Sequence, residues 1–317
     1  PLKYFTLETQ RQSIPERWED EATRLMKVSW KERMITGLNQ AAFRSYVYPV
    51  MTPAGIPVTT ERSIRDHPWH QSVTIGTDQF YVYQSSPEGR VEEPARNFYW
   101  DWPFQGRDAG RIISQAENEA TELADDHLQI TQRLNWEGPE EWGVPPHRRI
   151  MATETRTIDV RPSETANIID VRSRVRPTDW DLRVGTCRHG YFTVRVADHL
   201  RVSEPEGTKL TGTLVDSQGR VGAGEICWQH ADWVDFYGPD AEGRIAGIAL
   251  FQFPSLGNVP WYLVDYGSIR INPFRLDARY VNRGDLIDVA IRVVAHDGTP
   301  EEAGIAELYS CFEEEVG

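Results

Sequence analysis

The sequence predicts a mostly β protein, built as a large antiparallel β-sandwich with an appended N-terminal helix. From residue 43 onward, short runs of β-branched and aromatic residues alternate with Gly, Pro, Asp and Asn, a pattern typical of strands joined by turns. No glycine-rich phosphate loop interrupts these runs, and only one stretch, near the start of the chain, has convincing helical features. Regular strand spacing with so little helix favours a sandwich over an alternating α/β fold.

The helical features lie within the first forty or so residues. Ser13 is an expected N-cap, Pro15 falls in the first turn, and acidic residues follow near the positive end of the helix dipole. Apolar residues then recur at roughly helical spacing. We therefore expect a helix over residues 15–28, within an N-terminal helical arm of residues 1–42 that packs on the main body as a lid or edge element.

The remaining residues, 43–317, are predicted to form a single β-sandwich domain, because all-β units reach this size and no repeat or obvious linker divides them. Residues 117–126 are predicted as a second, short helix. The strongest strand signals lie at 44–50, 72–83, 153–160, 167–174, 190–196, 209–215, 233–237, 246–253 and 286–294.

Composition excludes several functions. A formal net charge of −14 repels polyphosphate, so we expect no nucleic-acid partner. No stretch approaches the roughly 18 apolar residues of a membrane span, and the first residues lack a secretion signal. The widely spaced Cys187, Cys227 and Cys311 suggest neither a disulfide framework nor a zinc site, which makes a reducing cytoplasm the simplest location.

The densest polar and aromatic cluster is Asp66-His67-Pro68-Trp69-His70. Two imidazoles three residues apart share a face of a tight turn, where they suit general acid/base chemistry or a metal with a carboxylate as third ligand. Pro68 argues against a helical metal motif. We therefore assign no cofactor and keep a divalent metal at His67 and His70 as a minority alternative. The other interpretation, with roughly even odds, is that both rings bond to backbone in a rigid loop.

A second cluster, at residues 225–233, combines acids, an amide, an imidazole and two indoles. In strand conformation Trp228 and His230 would share one face. Indole rings beside polar groups suit sugars, whose C–H faces stack while their hydroxyls hydrogen-bond. Tryptophans of an ordinary core explain the pattern about equally well.

A third cluster lies at residues 260–274, where Tyr262, Asp265, Arg270 and Asn272 offer hydrogen-bond donors and acceptors. A solvated sheet face would explain these residues equally well. His189, directly before a glycine, adds one more imidazole.

With these clusters the chain resembles, over about residues 43–298, a bacterial family that carries the label methane oxygenase PmoA, a label shared with a membrane methane monooxygenase subunit. We draw nothing from that label. The resemblance implies a β-sandwich with a role in carbohydrate metabolism, because genes of sugar dehydrogenases and isomerases often accompany the family. Its blocks are Tyr48-Pro49, Thr52-Pro53-x-Gly55-x-Pro57-Val58-Thr59, Asp66-His67-Pro68-x-His70, His189-Gly190-Tyr191-Phe192-x-Val194-Arg195-Val196-Ala197, residues 228–238, Tyr266-Gly267, Asn272-Pro273-Phe274 and His296-x-Gly298.

The chain is a divergent member of that family by resemblance. Trp69 stands where members usually carry another histidine, Gln71-Ser72 replaces Arg-Gly, and Tyr262 replaces a histidine. A lysine usual before the His-Gly pair is also absent, with Arg188 or Cys187 in its place. These changes imply a different substrate or chemistry.

We therefore expect a carbohydrate-active enzyme, a lyase or hydrolase that cleaves a sugar, an oxidised sugar or a glycoside. His67 or His70 would move protons, since histidine titrates near neutral pH, and Asp66 or Asp265 would orient an imidazole. Serine-hydrolase chemistry is disfavoured because no Gly-x-Ser-x-Gly occurs. The substrate would be held by Trp69, His189, Trp228, His230, Tyr262, Asp265, Arg270 and Asn272.

Two alternatives stay open. One is a cyclase or isomerase whose sandwich pocket shapes an apolar substrate, which the high aromatic content permits. The other is a non-catalytic sugar-binding protein, favoured if the two histidines point away from any cleft. In each case the partner is a small molecule, and a homo-oligomer is compatible with the sequence.

Overall fold

The structure is a computed structural model that describes residues 2–13, 22–63, 66–141 and 144–317. Strands are numbered in chain order. Those of the first half are β1 (Phe5–Ser13), β2 (Ala22–Trp30), β3 (Arg33–Gln40), β4 (Ser45–Val50), β5 (Val73–Ile75), β6 (Phe80–Ser86), β7 (Gly89–Glu92), β8 (Arg111–Ser114), β9 (Glu119–Ala124), β10 (His127–Glu141) and β11 (His147–Pro162). Those of the second half are β12 (Ala166–Pro177), β13 (Asp181–Val184), β14 (Phe192–Arg195), β15 (Thr213–Asp216), β16 (Trp233–Pro239), β17 (Ile245–Gln252), β18 (Tyr262–Val264), β19 (Ser268–Ile271), β20 (Arg279–Val281) and β21 (Ile287–Asp297). The α-helices are α1 (Ala223–Ile226) and α2 (Ile305–Val316), with short 3-10 turns at Asp198–Leu200 and Pro254–Leu256.

Two large antiparallel sheets form the sandwich. One has the order β1-β2-β3-β4-β5-β14-β19-β18, and the other β15-β16-β17-β21-β12-β11-β10-β8, with β9 paired to β10. A smaller sheet has the order β20-β13-β6-β7. Alternate residues of the two large sheets share one apolar core, for example Val194 and Ile269 from one sheet and Val171 and Ile291 from the other.

The outer face of the larger sheet is covered by α2. Val294 of β21 and Phe251 of β17 pack with Phe312 of the helix in a second apolar cluster. Arg292, on the same face of β21, donates to both Asp170 and Glu315. Among the residues described, neither α-helix is long and apolar enough to cross a membrane.

The predicted β-sandwich is confirmed, but the predicted N-terminal helix is wrong wherever it can be compared. Residues 22–28 lie in β2, which pairs with β1 and β3, while 15–21 fall outside the described residues. Met26, Val28 and Trp30 are buried at every second position, which is strand periodicity. Because β3 continues into β4 by direct pairing, the sheet runs across the predicted boundary at residue 42.

The other strand predictions match closely, and all nine segments contain strands. Segment 72–83 divides into β5 and the start of β6. The second predicted helix, at 117–126, is wrong: Glu119–Ala124 forms β9, an edge strand paired to β10. Its short acidic sequence has helical propensity, and the hydrogen bonds offered by β10 outweigh that preference.

Candidate functional site

The site lies on the face of the eight-stranded sheet that points away from the core. Val194 and Ile269 face the core, so the neighbouring residues of β14 and β19 point outward. The register places Thr193 opposite Arg270, and Arg270 opposite Tyr262 of β18. Strand alternation therefore gathers polar side chains on this outer surface.

The segment 66–70 forms a turn over this face, closed by a hydrogen bond from the His70 amide to the His67 carbonyl (2.9 Å). The two imidazoles lie parallel, with ring centroids 4.7 Å apart and planes 9° apart. His67 is also parallel to the Tyr266 ring, at 5.2 Å. The His67 side chain is 28% exposed, whereas His70 is only 1% exposed, so His67 is the imidazole that solvent can reach.

His70 belongs to a buried chain of hydrogen bonds. Its Nε2 lies 2.6 Å from the Tyr99 hydroxyl, which accepts a hydrogen bond from Arg270 Nε at 3.0 Å. Burial, reinforced by the nearby Arg270 charge, lowers the pKa of His70 well below its usual value, so the ring is neutral at neutral pH. Because the Tyr99 oxygen already accepts Arg270 Nε, its proton is available to Nε2, an arrangement that leaves the His70 proton on Nδ1, 3.4 Å from Ser268 Oγ.

Asp66 fixes the turn to the sheet. One carboxylate oxygen accepts the His67 amide (2.6 Å), and the other accepts Arg195 Nη2 (2.7 Å) and lies 3.6 Å from His67 Nδ1. Burial alone would raise the pKa of Asp66, but hydrogen bonds from His67 and Ser63 and the charge of Arg195 hold it well below its usual value. The carboxylate is therefore ionised and able to orient a protonated His67 ring.

The site has two groups of aromatic rings. Trp69 of the turn contacts Trp100 (centroids 4.2 Å apart) and Trp102 (5.0 Å). The second group is Trp228 and Tyr262, which stack face to face at 4.3 Å with the planes 8° apart. The site therefore combines flat ring surfaces with cationic and imidazole groups.

Arginines lie at both ends of the Trp228–Tyr262 pair. Arg275 Cζ is 3.1 Å from the centroid of the Trp228 ring, and Arg270 Cζ is 4.9 Å from that of Tyr262. Stacked guanidinium groups stiffen such a platform through cation–π attraction. We refer to Arg275, Trp228, Tyr262 and Arg270 together as the stacked platform.

His189 borders the same region. Its ring stacks on Tyr99 at 5.1 Å, and its Nδ1 lies 2.9 Å from Asp78 Oδ2. Hydrogen bonding and charge from His189 contribute to holding the pKa of Asp78 below its usual value, against the opposing effect of burial. Burial raises the pKa of the nearby Cys187 thiol to about 12, so Cys187 is a thiol rather than a nucleophilic thiolate.

Three predicted site residues lie elsewhere or serve the backbone. His230 is exposed, and its carbonyl accepts Arg220. Asp265 accepts the Ala223 amide, and Asn272 donates to the Cys187 carbonyl. The predicted strand conformation of residues 225–233 is wrong before Trp233, because the short helix α1 begins after Gly222 and Trp228 adopts a positive φ of 67°.

The sequence analysis assigned no site role to Tyr99, Trp100, Arg195, Tyr266 and Arg275. The aromatic run Phe98-Tyr99-Trp100-Asp101-Trp102 was a visible signal for the first two. Its backbone is held by Asn97, whose side-chain oxygen accepts the amides of Tyr99 and Trp100. Arg195 and Tyr266 fall within blocks of the family resemblance, whereas nothing local to Arg275 distinguishes it from a surface arginine.

Several buried polar atoms that have no hydrogen-bond partner in the described part of the chain lie around this site, while others are spread through the fold. Such atoms normally find a partner in the protein, in water or in a ligand. Those around the site are His67 Nδ1, Trp69 Nε1, Gln71 Oε1 and Nε2, Ser72 Oγ, Thr74 Oγ1, Trp100 Nε1, and Arg195 Nε and Nη1. For the metal alternative the donors are few: no group of three His, Cys, Asp or Glu side chains suited to a metal ion occurs among residues 2–13, 22–63, 66–141 and 144–317.

Comparison with known families assigns the chain to a family described as a family of unknown function, DUF6807, whose model matches residues 28–310. Since this match covers most of the chain, the protein belongs to that family. No functionally curated protein matches it. Among solved structures, a similarity exists to 4-alpha-glucanotransferase from Thermococcus litoralis, with 10% identity and a TM-score of 0.34 over 92% of this chain and 40% of the glucanotransferase chain. The chain thus spans well under half of that enzyme, and we draw no conclusion from so low a score.

Proposed function

We propose that this member of the family is a carbohydrate-active enzyme, a lyase or hydrolase that uses His67 as its acid/base group. The observation that carries the proposal is that the partly exposed His67 ring stacks on the buried, neutral His70. His70 begins a chain of hydrogen bonds that runs through Tyr99 to Arg270. An accessible imidazole above a buried network of hydrogen bonds is held in one orientation, as proton transfer requires.

Of the two predicted histidines, His67 is the better candidate for the group that meets substrate. His70 is buried and already bonded through Nε2 to Tyr99, so its role is to position its neighbours. Asp66, rather than Asp265, is the carboxylate next to the His67 ring. In this arrangement Asp66 stabilises the imidazolium that forms when His67 takes a proton.

Aromatic surface beside His67 supports a sugar-like substrate. The half-buried Trp69 ring lies 5.1 Å from the His67 ring, and a pyranose places its C–H face on such apolar rings. Tyr266 stacks on His67 at 5.2 Å, and its hydroxyl and the Arg270 guanidinium that donates to it offer hydrogen bonds to substrate hydroxyls. Flat rings combined with directional polar groups are what a sugar site needs.

Either reaction uses the same group. In an elimination, His67 removes a proton from the carbon beside a carbonyl, a carbon–carbon double bond forms, and the leaving oxygen departs as it gains a proton. In a hydrolysis, His67 removes a proton from water, which attacks as the glycosidic oxygen is protonated and released. The cyclase or isomerase alternative fits less well, because arginines lie at both ends of the stacked platform and two imidazoles lie in the turn 66–70.

A non-catalytic sugar-binding protein is the second candidate. It is favoured by the burial of His70 and Tyr99, which keeps two of the titratable groups away from any ligand. Both functions predict sugar binding, and only the enzyme predicts turnover that depends on His67.

The test is a screen of chromogenic glycosides and glycuronides, with ultraviolet detection of new carbon–carbon double bonds to separate elimination from hydrolysis. We expect His67→Ala to lower the rate by roughly 10²- to 10⁴-fold with unchanged folding. His230→Ala is the matched control, because His230 is exposed and outside the cluster. Full activity in His67→Ala would exclude His67 as the acid/base group, and binding without turnover in the wild type would favour the sugar-binding protein.

A further inference from the structure

Arg270 differs from every other buried arginine of the described chain in lacking a carboxylate partner. Six arginines are less than 9% exposed, and five of them form ion pairs with acidic side chains. These pairs are Arg44 with Asp101, Arg156 with Glu154, Arg195 with Asp66, Arg201 with Asp198 and Glu204, and Arg292 with Asp170 and Glu315.

Arg270 is 4% exposed, and its two hydrogen bonds go to hydroxyl groups. Nε donates to Tyr99 Oη at 3.0 Å and Nη2 to Tyr266 Oη at 3.4 Å, while Nη1 has no acceptor among the described residues. Burial raises the pKa of Tyr99, so its hydroxyl carries no charge at neutral pH. The guanidinium charge is therefore buried without a neutralising anion from the described residues.

Such an arrangement costs free energy in the unliganded protein. A buried charge is normally neutralised by an ion pair. An unpaired buried charge destabilises the folded protein, because the charge has lost its hydration without gaining a partner. The protein satisfies this rule at five other arginines with a surplus of acidic residues available, 48 against 34 basic ones. Arg270 is thus an exception among the buried arginines, and it lies at the candidate site rather than in the core.

The position of Arg270 shows where an anion would come from. The residue lies on the outward face of β19 at the end of the stacked platform, with its Cζ 4.9 Å from the centroid of the partly buried Tyr262 ring. Arg270 also contacts Tyr266, and the centroid of the accessible His67 ring lies 5.2 Å from that of Tyr266. An anionic group bound to the guanidinium would therefore lie close to His67.

We propose that Arg270 binds a carboxylate of the substrate, so that the substrate is a sugar acid. This inference rests on the proposed function and narrows it to anionic sugars. A carboxylate suits the guanidinium, because two parallel N–H groups match its two oxygens and one negative charge balances one positive charge. A phosphate dianion would call for a second unpaired cation beside Arg270. Arg195, on the Tyr266 ring, is already paired with Asp66, and Arg275 lies at the other end of the platform, on Trp228.

The experiment compares D-glucuronate and D-galacturonate with their neutral methyl esters by isothermal titration calorimetry on the intact protein. We expect the acids to bind the wild type about 10- to 100-fold more tightly than the esters, the usual effect of a charge-assisted pair. Arg270→Gln should abolish this preference, and Arg270→Lys should retain part of it. The control Arg279→Gln alters an exposed arginine of β20 and should leave the preference unchanged.

Stability supplies an independent readout. If Arg270 serves a ligand, the unliganded Arg270→Gln protein should melt no lower than the wild type, since a buried unpaired charge is removed. A clear loss of Tm in Arg270→Gln, equal binding of acid and ester to the wild type, or tighter binding of glucose 6-phosphate than of glucuronate would each overturn the proposal. If the proposal fails but neutral glycosides are turned over in a manner that depends on His67, the proposed function still stands. If instead uronate binding is lost in Arg270→Gln while turnover is unaffected by His67→Ala, only the assignment of His67 as the acid/base group is rejected.

Discussion

Replacing Tyr99 with phenylalanine tests the buried chain of hydrogen bonds under the site. The change keeps the ring and removes one oxygen, which is bonded both to His70 Nε2 at 2.6 Å and to Arg270 Nε at 3.0 Å. Tyr99 is 2% exposed, so water does not readily replace the lost hydroxyl. Each buried polar group left without a partner costs about 1–3 kcal/mol, and the charged guanidinium lies at the upper end of that range. The two groups together predict a loss of about 2–6 kcal/mol in the free energy of unfolding.

Tyr191→Phe is the matched control, since Tyr191 is also fully buried. Its hydroxyl bonds to Ser173 Oγ at 2.9 Å, and Ser173 keeps its own donor bond to Glu154 at 2.8 Å. That change leaves no donor unpaired, so we expect a loss of about 1 kcal/mol. Urea denaturation of both variants at neutral pH measures the difference. Equal losses in the two variants would refute the reasoning that Tyr99 connects two otherwise unpartnered groups.

Three further changes test other parts of the structure. Asp66→Asn should destabilise the protein at neutral pH, and the difference from the wild type should shrink as the pH falls below about 4, because the depressed folded pKa of this carboxyl stabilises only above its unfolded value. For His296, the charge and hydrogen bond of Asp235 raise the pKa against the effect of burial. The loss of unfolding free energy in His296→Gln should therefore be largest below pH 6.5 and decline as the pH rises through the pKa of the folded state. Denaturation at pH 6 and pH 9 measures this loss, and a loss that does not depend on pH would contradict the prediction. Ile291→Ala should cost about 2–5 kcal/mol in unfolding free energy, whereas Leu276→Ala, at a 71% exposed position, should cost almost nothing.

The strands were predictable because burial follows a two-residue period that the sequence displays directly. The failure at residues 22–28 came from weighting Ser13 and Pro15 as helix-start signals above the alternation of Met26, Val28 and Trp30. The turn that joins β2 to β3 is also hidden in the sequence, because Lys31 and Glu32 both adopt positive φ, 48° and 67°. Two-residue hairpin turns of this kind usually contain Asn or Gly, so Lys-Glu gives no warning.

The site was predictable only in its local pieces. Residues 66–70 were recognised from their composition, and their two imidazoles do stack, but the role of each residue in catalysis stays a prediction. The partners of those imidazoles depend on pairing between distant segments. Tyr99 reaches His70 across 29 residues, and Ser268 reaches it across 198. Contacts of that sequence separation are set by sheet register, which no local pattern encodes. The resemblance to the family labelled methane oxygenase PmoA, the cytoplasmic location and the homo-oligomer likewise stay predictions.

The same alternation that builds the core explains why the site formed where it did. Val194 and Ile269 face inward, so Arg195 and Arg270, one residue further along each strand, must face outward on the opposite side of the sheet. On an ordinary outer face these arginines would be solvated. Here they are 0% and 4% exposed, and they contact Asp66 of the turn 66–70 and Tyr99 of the aromatic run, respectively. Covering a charged sheet face costs free energy unless each charge is neutralised. Arg195 has Asp66 from the covering segment itself, and Arg270 is left to a ligand, which places recognition of an anion next to the accessible imidazole.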